Sequence, residues 1–175
     1  MPVRPDRAAS EDAAKEAALR ILERGPRTER EVEERLLRRG FERDAVERAI
    51  ERLRRVSLID DRAFLRSFVR TELPRRPQGK RLLVAKLRRR GVPAPLLEEL
   101  DRLLEEEPEL AERSLDTEVG RAEAALAELS KRHAKREARD RVRRLQGALL
   151  RRGFDWSTVR DLVSVEGMET NELSE

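Results

Sequence analysis

Cysteine and tyrosine are absent from this 175-residue chain, histidine and tryptophan occur once each, and phenylalanine occurs four times. Without cysteine there is no disulfide framework and no thiolate chemistry. The single histidine, His133, has neither cysteine nor clustered acids around it, so it reads as a solvated helix residue and not as a metal ligand. Aromatics at 3% and only eight glycines disfavour a sheet, which draws on β-branched and aromatic residues. No apolar run approaches the ~18 residues of a membrane span, and no signal-peptide core follows Met1. The expectation is a soluble, cytoplasmic protein.

What the chain does have is charge, 43% of its residues, beside 38% hydrophobic ones. That mixture suits helices with narrow aliphatic seams and solvated outer faces. It also has a repeat, centred on Leu36-Leu37-Arg38-Arg39-Gly40-Phe41, Leu87-Arg88-Arg89-Arg90-Gly91-Val92 and Leu149-Leu150-Arg151-Arg152-Gly153-Phe154. Upstream of each glycine an apolar pair lies four residues apart: Val32 and Leu36, Leu83 and Leu87, Leu145 and Leu149. Such spacing places both residues on one helical face. A glycine after the last turn supplies the left-handed conformation that ends a helix, so Gly40, Gly91 and Gly153 are expected as structural corners. The next residue then folds back over the leucine before it. Arginines at the helix end suit the negative end of the dipole.

The intervening spacing predicts an all-α fold of three tandem three-helix repeats, an elongated, curved, solenoid-like array. Residues 1–10 form a tail, 11–56 the first repeat, 57–107 the second, 108–166 the third, and 167–175 a disordered tail. Thr28 and Glu31 make a capping box at the second helix. Asp60-Asp61 read as a helix start, better than as a catalytic or metal-binding acid pair. Pro93 and Pro95 open a helix carrying Leu96 to Leu104. A long helical pattern follows Pro108.

The charge is unevenly spread. Residues 75–90 hold eight bases and no acid, residues 98–118 ten acids against Arg102 and Arg113, and residues 131–152 ten bases against Glu137 and Asp140. Gly79-Lys80 has the order of a phosphate-loop ending, but no strand or upstream glycine precedes it and Arg81 takes the hydroxyl position. No EF-hand spacing occurs among the acids. No catalytic residue, cofactor site or metal site is expected, and the chain does not read as an enzyme. The candidate binding residues are Arg75, Arg76, Lys80, Arg81, Lys86, Arg88, Arg89 and Arg90. Against DNA, engaging about five phosphates gives a log–log salt slope of about −4.5; against protein, exposed ion pairs contribute about 0.2–1 kcal/mol each but steer encounter.

Leu58-Ile59-Asp60-Asp61-Arg62-Ala63-Phe64, Phe68-Val69-Arg70, Gly79-Lys80-Arg81-Leu82 and the Leu87–Val92 corner resemble the RecX family of bacterial regulatory proteins. The resemblance spans roughly residues 13–165 and includes the repeat. It implies a small, basic, monomeric protein that binds the RecA recombinase filament, with weak DNA backbone contacts. It further implies inhibition of recombinase, ATPase and coprotease activity in DNA repair and the SOS response. The alternative is a stand-alone nucleic-acid-binding helical module. Stacking on single strands needs exposed aromatics, of which this sequence offers few.

Overall fold

The structure, a computed structural model, describes residues 8–133 and 138–163. The tail expectations for residues 1–7 and 167–175, and the start of the basic helix at 135–137, lie outside the described residues. Among the described residues every regular element is helical: α1 (Glu11–Leu22), α2 (Glu29–Arg38), α3 (Arg43–Arg55), α4 (Asp61–Arg75), α5 (Lys80–Arg89), α6 (Ala94–Glu98), α7 (Leu100–Glu105), α8 (Pro108–Ala111), α9 (Glu118–His133) and α10 (Ala138–Arg151). A further helix, α11, covers 156–163. The chain forms two compact units, one of residues 1–67 with 87–97 and one of residues 68–86 with 98–175.

In the first unit α1, α2 and α3 bury one aliphatic cluster. Small Ala14 and Ala18 of α1 meet Val32 and Leu36 of α2 and Val46, Ala49, Ile50 and Leu53 of α3, with Phe41 and Ile59 closing it. Ser10 caps α1 by accepting from Ala13 N, and Thr28 caps α2 by accepting from Glu31 N. Asp60 accepts from Arg62 N and Ala63 N at the start of α4, so the acid pair does cap. Its neighbour Asp61 serves a different helix, accepting from Glu29 N at the start of α2.

In the second unit α9, α10 and α11 share a cluster of Ala122, Ala125, Leu129, Leu145, Leu149, Phe154, Val159 and Val163. The helix expected through Leu96–Leu104 is broken at Glu99 into α6 and α7. The helical pattern after Pro108 is likewise interrupted. Ser114 turns left-handed at φ 54°, and the loop from Glu112 to Thr117 separates α8 from α9. Gly120 permits this, because a Cβ there would strike the Ser114 carbonyl.

The corners share one hydrogen-bond pattern. Gly40, Gly91 and Gly153 have φ of 91°, 87° and 83°. Each donates its N–H three residues back, to Leu37, Arg88 and Leu150. The following residue, Phe41, Val92 or Phe154, donates five back to Leu36, Leu87 or Leu149. This is the Schellman pattern, which satisfies the last helical carbonyls. Two further corners use serine. Ser57 and Ser114, both at φ 54°, lead Leu58 N to Leu53 O and Leu115 N to Leu110 O.

Candidate functional site

The basic loop between α4 and α5 belongs to the second unit and is held from beneath. Pro77, Gln78 and Gly79 are buried, while Arg75 and Arg76 stay exposed. Arg121 of α9, only 1% exposed, supplies the floor. Its Nε donates to Gln78 O at 3.2 Å, and its Nη1 donates to Leu115 O at 3.0 Å and Asp116 O at 2.8 Å. Burial pushes the Arg121 pKa down while Glu118, Asp101 and Asp116 push it up, and the guanidinium remains charged. Glu118, 3.7 Å from Arg121, accepts from Lys80 N at 3.2 Å and so caps α5. Gly79 N donates to Arg152 O at 2.9 Å, and a Cβ at Gly79 would collide with the Gly153 carbonyl. Glycine is therefore required at 79 by close backbone approach.

Within this unit the bases divide. Lys80 pairs with Asp101 and Lys86 with Glu72. The hydrogen bond from Lys86 holds the Glu72 carboxyl below its ordinary value against the opposing effect of burial. The side chains of Arg75, Arg76 and Arg81 are exposed and make no hydrogen bond or ion pair with the described residues, although the Arg76 charge helps to hold the Glu72 and Glu128 carboxyls low. Arg152, before the third corner, is buried against Glu128 at 2.9 Å, and that hydrogen bond lowers the Glu128 pKa.

In the first unit Arg88 and Arg89 are exposed and likewise lack an ion pair among the described residues. Arg90 is tied down. Its Nη2 reaches Glu31 Oε2 at 3.0 Å, its Nε reaches the other oxygen, and its guanidinium carbon lies 4.6 Å from the Phe64 ring centre. Its carbonyl accepts from the buried Thr28 hydroxyl. Burial pushes the Glu31 carboxyl up, but Arg90, Arg35 and Arg27 outweigh it and hold the carboxyl low. The capping box is therefore half made, since the Glu31 side chain turns to Arg90. Asp61 behaves oppositely: burial raises its pKa, opposed by the Glu29 N–H and reinforced by Glu29, Asp60 and Glu31.

Among the described residues no catalytic constellation is brought together. A groove of about 370 Å³ beside Asp60 and Asp61 is lined by Glu29, Arg54 and Pro93, but both aspartates are engaged in capping. Among the described residues no group of acids or histidine is arranged to hold a metal. His133 ends α9, and its side chain lies outside the described residues. No helix among the described residues is long and apolar enough to cross a membrane.

Residues 14–53 match the family model described as RecX, first three-helix domain, and residues 60–100 that of RecX, second three-helix domain. The chain is 36% identical over 164 residues to the regulatory protein RecX of Mycolicibacterium smegmatis, covering 89% of this chain and 80% of that protein. The chain belongs to the RecX family. A RecX of Pelodictyon phaeoclathratiforme is 32% identical over 145 residues, covering 82% of each chain. The fold of RecX from Lactobacillus salivarius superimposes with a TM-score of 0.69 at 22% identity, over 89% of this chain and 95% of that one. A helical-repeat fold is thus common to this chain and its RecX relatives.

Sequence reasoning missed Arg121, Glu118 and Glu128, and it read Glu31 only as a capping-box residue and not as the partner of Arg90. Arg121 stands one residue before the apolar Ala122, so its position resembled the flank of a seam, and nothing local marks it as buried.

Proposed function

We propose that this RecX-family chain is a non-enzymatic, monomeric, cytoplasmic regulator that binds the RecA–DNA filament through three tandem three-helix repeats and inhibits its activities. The exposed guanidiniums Arg75, Arg76 and Arg81, together with Arg88 and Arg89, make the contact, to acidic protein surface and to DNA backbone. Lys80, Lys86 and Arg90 lie beside them but are engaged by Asp101, Glu72 and Glu31, so they contribute field more than direct contact. The observation that carries this reading is the basic stretch from the end of α4 into α5, where the exposed side chains of Arg75, Arg76 and Arg81 make no ion pair with the described residues on a backbone fixed by Arg121, Glu118 and Arg152. Arginine's planar fork suits carboxylate and phosphate alike.

The test is RecA-catalysed ATP hydrolysis and strand exchange with sub-stoichiometric protein at near-physiological salt. Both should fall. The Arg75→Glu/Arg76→Glu/Arg81→Glu variant should stay folded by circular dichroism and lose most of the inhibition. If wild type changes neither activity, the RecA reading fails; if the triple variant inhibits normally, these arginines are not the contact.

A further inference from the structure

Between Leu53 and Ile59, both buried in the cluster of the first unit, Arg54-Arg55-Val56-Ser57-Leu58 are all exposed. They form a short strap pinned at each end. Val56 and Leu58, 61% and 53% exposed, are large apolar side chains that the core leaves out. Between them Ser57 turns left-handed at φ 54°, a conformation that a serine seldom adopts. Its hydroxyl makes no hydrogen bond with the described residues. The hydroxyl oxygens of Ser10, Thr28 and Thr117 differ, each accepting from a helix N–H.

The residues around that hydroxyl carry a pattern. Arginines stand three and two residues before it, and an aliphatic residue directly after it. No other serine or threonine in the sequence has arginines at both of those positions. Protein kinases that select substrates by charge hold such arginines on cleft carboxylates and seat the following aliphatic residue in an apolar pocket. Arg54 is engaged with Glu29 at 3.7 Å and with Glu51, and Arg55 with Glu51 at 3.0 Å. Exposed pairs of this kind contribute little and yield readily. To lie extended in a cleft, the strap gives up the last turn of α3 and the bonds from Ser57 N to Arg54 O and from Leu58 N to Leu53 O. No buried side chain has to leave the core.

We propose that Ser57 is a phosphorylation site, the acceptor for a basic-directed serine/threonine protein kinase, and that its modification loosens this corner of the first unit. The Ser57 Oγ attacks the γ-phosphorus of the kinase's magnesium-bound nucleoside triphosphate. The Oγ–P bond forms, the bond to the β–γ bridging oxygen breaks and the nucleoside diphosphate leaves, while the hydroxyl proton passes to the kinase's catalytic aspartate. The product carries a charge of about −1.5 to −2 at pH 7. It stands at the C-terminal end of α3, beside the groove that Ser57 lines with Glu29, Asp60 and Asp61, an unfavourable place for an anion. The site goes beyond the regulatory reading above, since it needs no RecA, and its failure would leave the basic loop untouched.

Ser114 is an internal control. It is exposed and left-handed at the same φ of 54°, yet Ala111 and Glu112 stand where Ser57 has arginines, and the next residue, Leu115, is buried. The full chain is incubated with magnesium ATP and the catalytic subunit of a basic-directed kinase, and phosphate is located by intact mass and peptide mapping. One phosphate on Ser57 and none on Ser114 is the expected result. Ser57→Gly, which keeps the turn, should abolish incorporation, and Arg54→Ala/Arg55→Ala should lower the kinase's kcat/KM about tenfold or more. The phosphorylated chain should melt below the unmodified one. The site is overturned by no incorporation, by incorporation that survives Ser57→Gly, or by a rate indifferent to loss of both arginines. It is equally overturned if a free peptide of residues 53–59 accepts phosphate and the folded chain does not. A phosphorylated chain that melts at or above the unmodified one overturns the loosening.

Discussion

The five corners that share the Schellman hydrogen-bond pattern differ in what occupies the turning position, and that difference is measurable residue by residue. An L-residue held left-handed costs roughly 1–2 kcal/mol, which glycine avoids. Gly40→Ala should therefore lose about 1–2 kcal/mol in urea unfolding. Gly153→Ala should lose more, because its Cβ would also meet the Leu82 backbone. Conversely, Ser57→Gly should gain about 0.5–1 kcal/mol, the relief of left-handed strain less the greater flexibility of glycine when unfolded. A Ser57→Gly variant less stable than wild type would show that the serine is not strained. The glycine corners were legible because glycine and aliphatic spacing are local signals. The serine corners were not, since a left-handed serine has no composition cue and is imposed by the Leu58-to-Leu53 and Leu115-to-Leu110 hydrogen bonds. Arg121 was equally silent. Its Arg121→Met variant, which orphans three carbonyls, should lose several times the ~1–3 kcal/mol of a single unsatisfied group in urea unfolding.

Between elements the stabilising charges act in opposite directions with pH. Glu31, Glu72 and Glu128 titrate below their unfolded value of 4.5 because Arg90, Lys86 and Arg152 hold the anions. Their contribution is present above that value and is lost as pH falls through the folded pKa. Asp61 is raised above 3.8 by burial, so folding loses stability as pH rises through the window above 3.8. Glu31→Gln should therefore cost about 1–3 kcal/mol at pH 7, a deficit that shrinks in acid. Asp61→Asn keeps an oxygen for Glu29 N and removes the buried charge, so it should match or exceed wild type at pH 7, with its advantage disappearing in acid. Urea midpoints at pH 3 and 7 separate the two, and parallel behaviour of both variants would refute the assignment. The helices themselves were readable from 3.6-residue periodicity. Which partner each cap would choose was not: Thr28 reaches Arg90 and Asp61 reaches Glu29, across 62 and 32 residues of sequence.

At the scale of the molecule the sequence displays charge density but not charge pairing. The eight bases of residues 75–90 look equivalent in the sequence because the acids that engage three of them stand 14, 21 and 59 residues away. Folding leaves Arg75, Arg76 and Arg81 in one unit and Arg88 and Arg89 in the other. The two sets share no hydrogen-bond partner, so their energetic effects on the proposed filament binding should add to within about 0.3–0.5 kcal/mol. Charge reversal of the first set, of Arg88 and Arg89, and of all five should be compared in binding to RecA–DNA filaments across a salt series. Where the contacts are to DNA backbone, each lost phosphate contact flattens the log–log salt slope by about 0.9. Where they are to acidic protein surface, each lost exposed pair removes only about 0.2–1 kcal/mol. A five-site variant no weaker than the three-site one would mean that Arg88 and Arg89 only finish a helix, and the contact would then be confined to the loop that Arg121 holds.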